Sequence, residues 1–155
     1  MLPEISFDFL YLIVFIVSVI IAYFIFKNNK IFHKQKMLND LVSKERDLRM
    51  SLNEYQEKID VTKNKYLLDK LWNDHDNLLF NFYEYLAIII FGDYLIERGS
   101  RIYFRRLLVD VYRAFIDDKG FFKSANVSRN DYFNLMNLFK RWRIDKLYVE
   151  VVEKN

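Results

Sequence analysis

Polar positions all but vanish early in the chain. Phe9 to Phe26 reads FLYLIVFIVSVIIAYFIF, with Ser18 as its one clearly polar member. As a helix, such a stretch of roughly 18 residues is about 27 Å long. With Phe7 before it, it approaches the roughly 30 Å thickness of bilayer hydrocarbon. A core helix of a soluble protein keeps a polar face, and this run has none. Ser18 can return its hydroxyl to a carbonyl one turn back. Tyr11 and Tyr23 stand near the two ends, where amphipathic rings favour the membrane interface. A cleaved signal peptide would start basic and end at a small-x-small site. Here Glu4 and Asp8 precede the run, no Lys or Arg does, and no such site follows Phe26. The pattern predicts a transmembrane helix over residues 7–26, after a short extracytoplasmic segment, 1–6.

Lys27, Lys30, Lys34 and Lys36 follow directly. The excess of positive charge on that side predicts a single-pass protein of the cell (inner) membrane, N-terminus outside and C-terminus cytoplasmic. The same lysines are candidates for contact with anionic lipid, worth roughly 1 kcal/mol each near the surface.

The pattern then changes to a three-and-four alternation. Leu38, Leu41, Leu48, Leu52, Tyr55, Ile59 and Tyr66 follow it, while Glu45 and Thr62 take the steps that break the series. No Gly or Pro occurs between Pro3 and Gly92, so helix is expected to run on from the membrane through residues 27–66. A straight rod from Lys27 to Lys70 would reach about 66 Å. Asp40–Lys44, Glu45–Arg49 and Glu54–Lys58 set acid four residues before base, the better order on a helix. The imperfect heptad seam admits two readings: a parallel coiled coil making a homo-oligomer, or a helix packed back on the rest of the chain.

Residues 67–155 read as three further helices. The first is expected from about Leu67 to Phe91, stopped by Gly92. Its run LAIIIF, Leu86 to Phe91, is strongly apolar, and Leu78 to Phe91 resembles a second span, but that stretch is too short and holds Asn81 and Glu84, so a buried core helix is expected. The second is expected from Ser100 to Ile116, with Phe104, Leu108, Val111 and Phe115 on one face. Gly120 would end the turn after it. The third begins at Ser128, with Asp131 completing a weaker capping box, and carries Tyr132, Leu135, Met136, Phe139 and Trp142 as its apolar stripe. Periodicity leaves the tail, LYVEVVEKN, open between helix and strand. The expected fold is all-α: a transmembrane helix, a long helical stalk and a small cytoplasmic helical bundle with an aromatic core.

Composition narrows the chemistry. Three Gly and one Pro are too few for many short strands. Cysteine is absent, which excludes disulfides, thiolate catalysis and Cys-type zinc sites. A net charge of +3 makes no global case for nucleic acid. The two histidines, His33 and His75, do not pair at ligand spacing, and Asp74 and Asp76 beside His75 point to different sides of a helix. There is no Gly-x-Ser-x-Gly elbow and no glycine-rich phosphate loop, so no enzyme, cofactor or metal is expected.

Two polar constellations remain. Asn73, Asn77, Asn81 and Glu84, spaced four, four and three, share one helix face as a structural or partner-binding polar strip. Among Phe82, Tyr83, Tyr85 and Leu86, Glu84 needs a partner against desolvation, and Arg105 or Arg106 is the expected one. Within the strip, Asn73 and Asn77 are expected in solvent, and Asn81 and Glu84 inside the bundle. Arg101, Arg105, Arg106, Lys140, Arg141 and Arg143 form a candidate basic surface. With Trp142 in its midst, it is suited in type to single-stranded nucleic acid.

The phrase Asn81, Phe82, Tyr83, Glu84, followed by LAIII and the Gly92-Asp93 turn, resembles an uncharacterised bacterial family of single-span membrane proteins, of the domain of unknown function 4760 type. The order of span, stalk and helices is similar too. The resemblance implies a bacterial cell membrane and no established activity. The resulting expectation is a membrane-tethered interaction or scaffold module acting through protein partners. A membrane-acting effector, such as a phage-defence or toxin component, and a tethered nucleic-acid binder are the alternatives.

Overall fold

The structure, a computed structural model, describes residues 7–116 and 128–152. The first segment and Gly120 lie outside that range. The described residues form five α-helices and a short 3-10 turn: α1 (Phe7–Val61), α2 (Lys65–Phe91), α3 (Glu97–Ile116), the 3-10 turn (Arg129–Tyr132), α4 (Phe133–Trp142) and α5 (Ile144–Val152).

α1 is one uninterrupted helix of 55 residues. Its first part is long and apolar enough to cross a membrane, and no other described residue covers it there. Every side chain from Tyr11 to His33 is exposed. Ser18 donates its hydroxyl to the Val14 carbonyl at 2.8 Å, as an isolated hydroxyl in an apolar helix must.

The stalk ends sooner than the rod expected to Lys70. Thr62 caps the last turn by donating to the Lys58 carbonyl, and Asn64 accepts from the Leu67 amide to start α2. Neither Gly nor Pro is needed for this reversal, because side-chain oxygens at Thr62 and Asn64 satisfy the freed backbone groups.

α2 then runs back along α1, and the seam is consumed in that packing. Leu38, Leu41 and Leu48 are buried in the core shared with α2 and α3, with Leu52 packed against it, and Ile59 is buried further along the helix. Of the two readings of the stalk, the chain adopts the fold-back, and a coiled coil through this seam has no free face to use. Tyr66, placed on the seam from sequence, is 81% exposed beyond the reversal.

α3 descends beside α1. It starts at Glu97, three residues before the expected Ser100, and Gly99 allows its close approach: a Cβ there would lie 3.0 Å from the Leu38 side chain. Its predicted stripe, Phe104, Leu108, Val111 and Phe115, is buried. Ser128 and Asp131 make a complete capping box, but it opens the 3-10 turn, and α4 begins only at Phe133. α4 rises parallel to α2. Arg143 breaks it in the left-handed region (φ 54°), and the tail continues as helix α5, not strand, descending along α3.

Phe80, Phe104 and Trp142 are fully enclosed. Phe80 meets Phe115 at 5.7 Å and Tyr132 at 5.6 Å, and Phe139 meets Phe115 at 5.3 Å. Edge-on ring pairs of this kind add about 0.5–1.5 kcal/mol each beyond area burial.

Candidate functional site

The polar strip on α2 separates into two parts. Glu84 turns inward to the start of α4, accepting from the Asn134 amide (3.1 Å), the Asn134 side-chain amide (2.7 Å) and the Leu135 amide (2.6 Å). Its partner is therefore a helix N-terminus, where unpaired N–H groups and the helix dipole favour an anion. This corrects the expected pairing with Arg105 or Arg106, which sit on α3. Asn81 also departs from expectation: it is exposed, donating to Asn77 at 2.9 Å, and Asn77 accepts from the Tyr132 hydroxyl at 3.5 Å. Asn73 is half-buried rather than in open solvent. Glu84 thus joins α2 to the start of α4, and Asn77 joins α2 to Tyr132 of the 3-10 turn. Beside it, burial and the nearby Asp131 and Glu84 charges push the Tyr132 hydroxyl above its ordinary pKa.

Glu45, which interrupts the heptad pattern, is 2% exposed. Arg49 donates to it at 2.5 Å and Tyr103 at 3.4 Å. The Glu45 hydrogen bond holds the Arg49 guanidinium above its usual pKa, and desolvation with the Glu45 charge pushes the neighbouring Tyr83 phenol strongly upward. The break in the seam is thus a buried polar joint between α1, α2 and α3.

The six-residue basic surface is not continuous. Arg101, Arg105 and Arg106 line an open groove of about 1050 Å³ between α3 and α5, whose apolar residues are Ile102, Val109, Leu147 and Val151. The Arg105 Nε is buried without a hydrogen-bond partner among the described residues. Lys140 faces a different groove, with Phe115, Met136 and Phe139. Arg141 is bound to Glu97 through two nitrogens, the Nε at 2.8 Å, and stacks over Phe91. Trp142 is fully buried and donates its indole N–H to Glu97 at 3.0 Å, so no base can stack on it. Arg143 is exposed at the α4–α5 corner.

The lysines that follow the apolar run also divide. Lys27 and Lys36 are exposed. Lys34 donates to Asp93 at 2.6 Å, and Lys30 stands 3.8 Å from the same carboxylate. Asp93 occupies the turn between α2 and α3 in the left-handed region (φ 59°), whereas Gly92 before it has an ordinary helical φ of −73°. Asp tolerates that conformation better than most residues. The Lys34 hydrogen bond and charge hold the Asp93 carboxyl below its ordinary pKa.

Sequence reasoning missed Asp93, Glu97 and Ile102 as organising residues. Ile102 carried a signal: it lies off the apolar stripe of α3 and is 77% exposed. Ile88 and Phe91, inside the run expected to be core, likewise face outward at 47% and 38%. Asp93 and Glu97 carried none, because their partners lie 59 and 44 residues away. Among the described residues no group of three His, Asp or Glu side chains converges as metal ligands do.

Comparison with protein-family models, curated proteins and solved structures gave no match, so the functional reading rests on this geometry.

Proposed function

We propose that the chain is a membrane-tethered helical interaction module, held in a bacterial cell membrane by residues 7–26 and acting through a protein partner on the cytoplasmic side. One observation supports this most directly: α1 is at once an uncovered apolar rod and, from Leu38 on, a core element of the bundle. A helix with no break between the two parts gives the bundle a fixed stance at the membrane rather than a loose tether. The lysines after Phe26 set the orientation.

The α3–α5 groove is the partner surface in this reading. Exposed Ile102, with Val109, Leu147 and Val151 beneath and Arg101, Arg105 and Arg106 at the rim, fits a helix carrying apolar residues beside carboxylates. The carboxylates of such a partner would pair with the guanidinium groups at the rim. The test is cross-linking from Ile102 in intact membranes, followed by purification in detergent. The expected result is a defined heteromeric product, abolished by Ile102→Glu and by Arg105→Glu while the amount in the membrane holds. Purification as a monomer with no cross-linked product would overturn the partner. Recovery of full-length chain in the soluble fraction without detergent, or a periplasmic reporter at Asn155, would overturn the tether.

A further inference from the structure

The fold gathers several separate termini at one end, the end nearest the apolar rod. α2 ends there at Phe91, α3 begins there at Glu97, α4 ends there at Trp142 and α5 begins there at Ile144. The contacts fix this arrangement: Asp93 meets Lys30 and Lys34 of α1, while Glu97 meets Arg141 and Trp142. Phe26, the last residue of the apolar run, lines the same recess as Gly92, Asp93 and Tyr94.

Height follows from the helix rise. Lys30 and Lys34, which both reach Asp93, lie four and eight residues beyond Phe26, about 6 and 12 Å along the axis. The headgroup layer on each side of a bilayer is roughly 5–8 Å deep, the difference between core and full thickness shared over two faces. The α2–α3 turn, which shares a recess with residues from Phe26 to Met37, therefore reaches from headgroup depth to just outside it when Phe26 marks the edge of the hydrocarbon. α1 itself still displays apolar surface there, with Ile31 and Phe32 49% and 66% exposed.

That end of the bundle has the chemistry of an interface. Tyr94 is 61% exposed on the turn, with Phe91 and Ile88 exposed on the adjoining turn of α2. Around them are Lys27, Arg98, Arg101 and Arg143, all exposed. Of the carboxylates at this end, Asp93 and Glu97 are engaged by Lys34 and Arg141, and Asp145, in the first turn of α5, is exposed and leaves the cations in the majority. A ring with a polar tip amid unpaired cations is the pattern that settles at an anionic lipid surface.

We infer that the Gly92–Tyr94 turn and the basic helix ends around it form a second membrane contact, in which Tyr94 inserts among the headgroups and Arg98 and Arg143 meet anionic lipid. This rests on the membrane reading above and adds that the bundle is seated on the bilayer rather than held clear of it. The uncovered aromatic and isoleucine side chains at the end of α2 are then lipid-facing.

The chain has no cysteine, so single thiol probes can be placed without background. The full-length protein, labelled with an environment-sensitive fluorophore at Tyr94→Cys, Ile20→Cys or Lys65→Cys, is reconstituted into phosphatidylcholine vesicles with and without phosphatidylglycerol. A headgroup-attached nitroxide lipid serves as quencher. The expected result is several-fold stronger quenching at 94 than at 65, enhanced by phosphatidylglycerol and reduced by adding Arg98→Glu and Arg143→Glu. Quenching at 94 equal to that at 65, with the probe at 20 deep in lipid, would overturn the seated bundle and leave the span intact. A water-exposed probe at 20 would overturn both.

Discussion

At the scale of single residues, Glu84, Glu45 and Asp93 each tie separate helices together, and each makes a distinct prediction. Glu84 satisfies three donors at the start of α4. Glu84→Leu leaves two backbone amides unpaired at a partly buried helix end, and should cost about 1–3 kcal/mol. Thermal unfolding in mild detergent would register this, whereas Arg106→Ala, on an exposed side chain of α3, should leave the transition nearly unmoved. Glu45 and Arg49 behave asymmetrically because Glu45 is buried and Arg49 is half outside. Arg49→Ala strands a buried acceptor and should destabilise by roughly 1–3 kcal/mol. Glu45→Leu, which continues the seam, should be close to neutral, since apolar replacement of a buried charge often is. Equal losses from the two variants would refute this asymmetry. Asp93 supplies a pH dependence. Its pKa is lowered by Lys34, so its contribution is present above the ordinary carboxylate range, near pH 4, and is lost as pH falls through the lower folded value. A carboxyl NMR titration of Asp93 should therefore show a midpoint below that of a free aspartate, and Lys34→Met should return it upward.

Among the elements, the close approach of α3 to α1 is the sharpest constraint. A Cβ at Gly99 would stand 3.0 Å from the Leu38 Cδ2, so Gly99→Val must displace that side chain or push the two helices apart, at a cost of about 1–3 kcal/mol. The α3 start is also pinned by Glu97 to Arg141 and Trp142, so the strain falls on the end of the bundle nearest the apolar rod. Unfolding of this variant and of Gly99→Ala should rank by side-chain size, and an unchanged transition in the larger variant would contradict the contact. Sequence period located the apolar faces of α3 and α4 well, because each of those helices buries one stripe. It did less well with the end of α2, where a continuous apolar run leaves facing undefined until neighbours are placed. Ile88 and Phe91 turned out to lie outside for that reason.

For the molecule as a whole, the natural boundary is not at residue 67. The core contains Leu38, Leu41 and Leu48 from α1 together with residues of α2 to α5. A fragment 67–155 lacks one wall of that core and should be unfolded or aggregated by circular dichroism and proteolysis. A fragment 33–155, freed of the apolar run, should fold and give a cooperative transition. If 67–155 folded alone, the packing described for α1 would be dispensable and the stance of the bundle on its tether with it.

What the sequence determined unaided is what depends on local composition and period: an apolar helix with no polar face, helical punctuation at Gly92 and Ser128, the stripes of α3 and α4, and the exclusion of thiol chemistry. The tertiary structure alone decided which partner covers each stripe: that the seam of the stalk meets α2 and α3 of its own chain, that Glu84 caps α4, and that Asp93 reaches Lys34 across 59 residues. The physical reason is the reach of the forces. Helix propensity and capping act within a few residues, whereas burial is indifferent to chain separation and rewards whichever apolar surface the topology brings near.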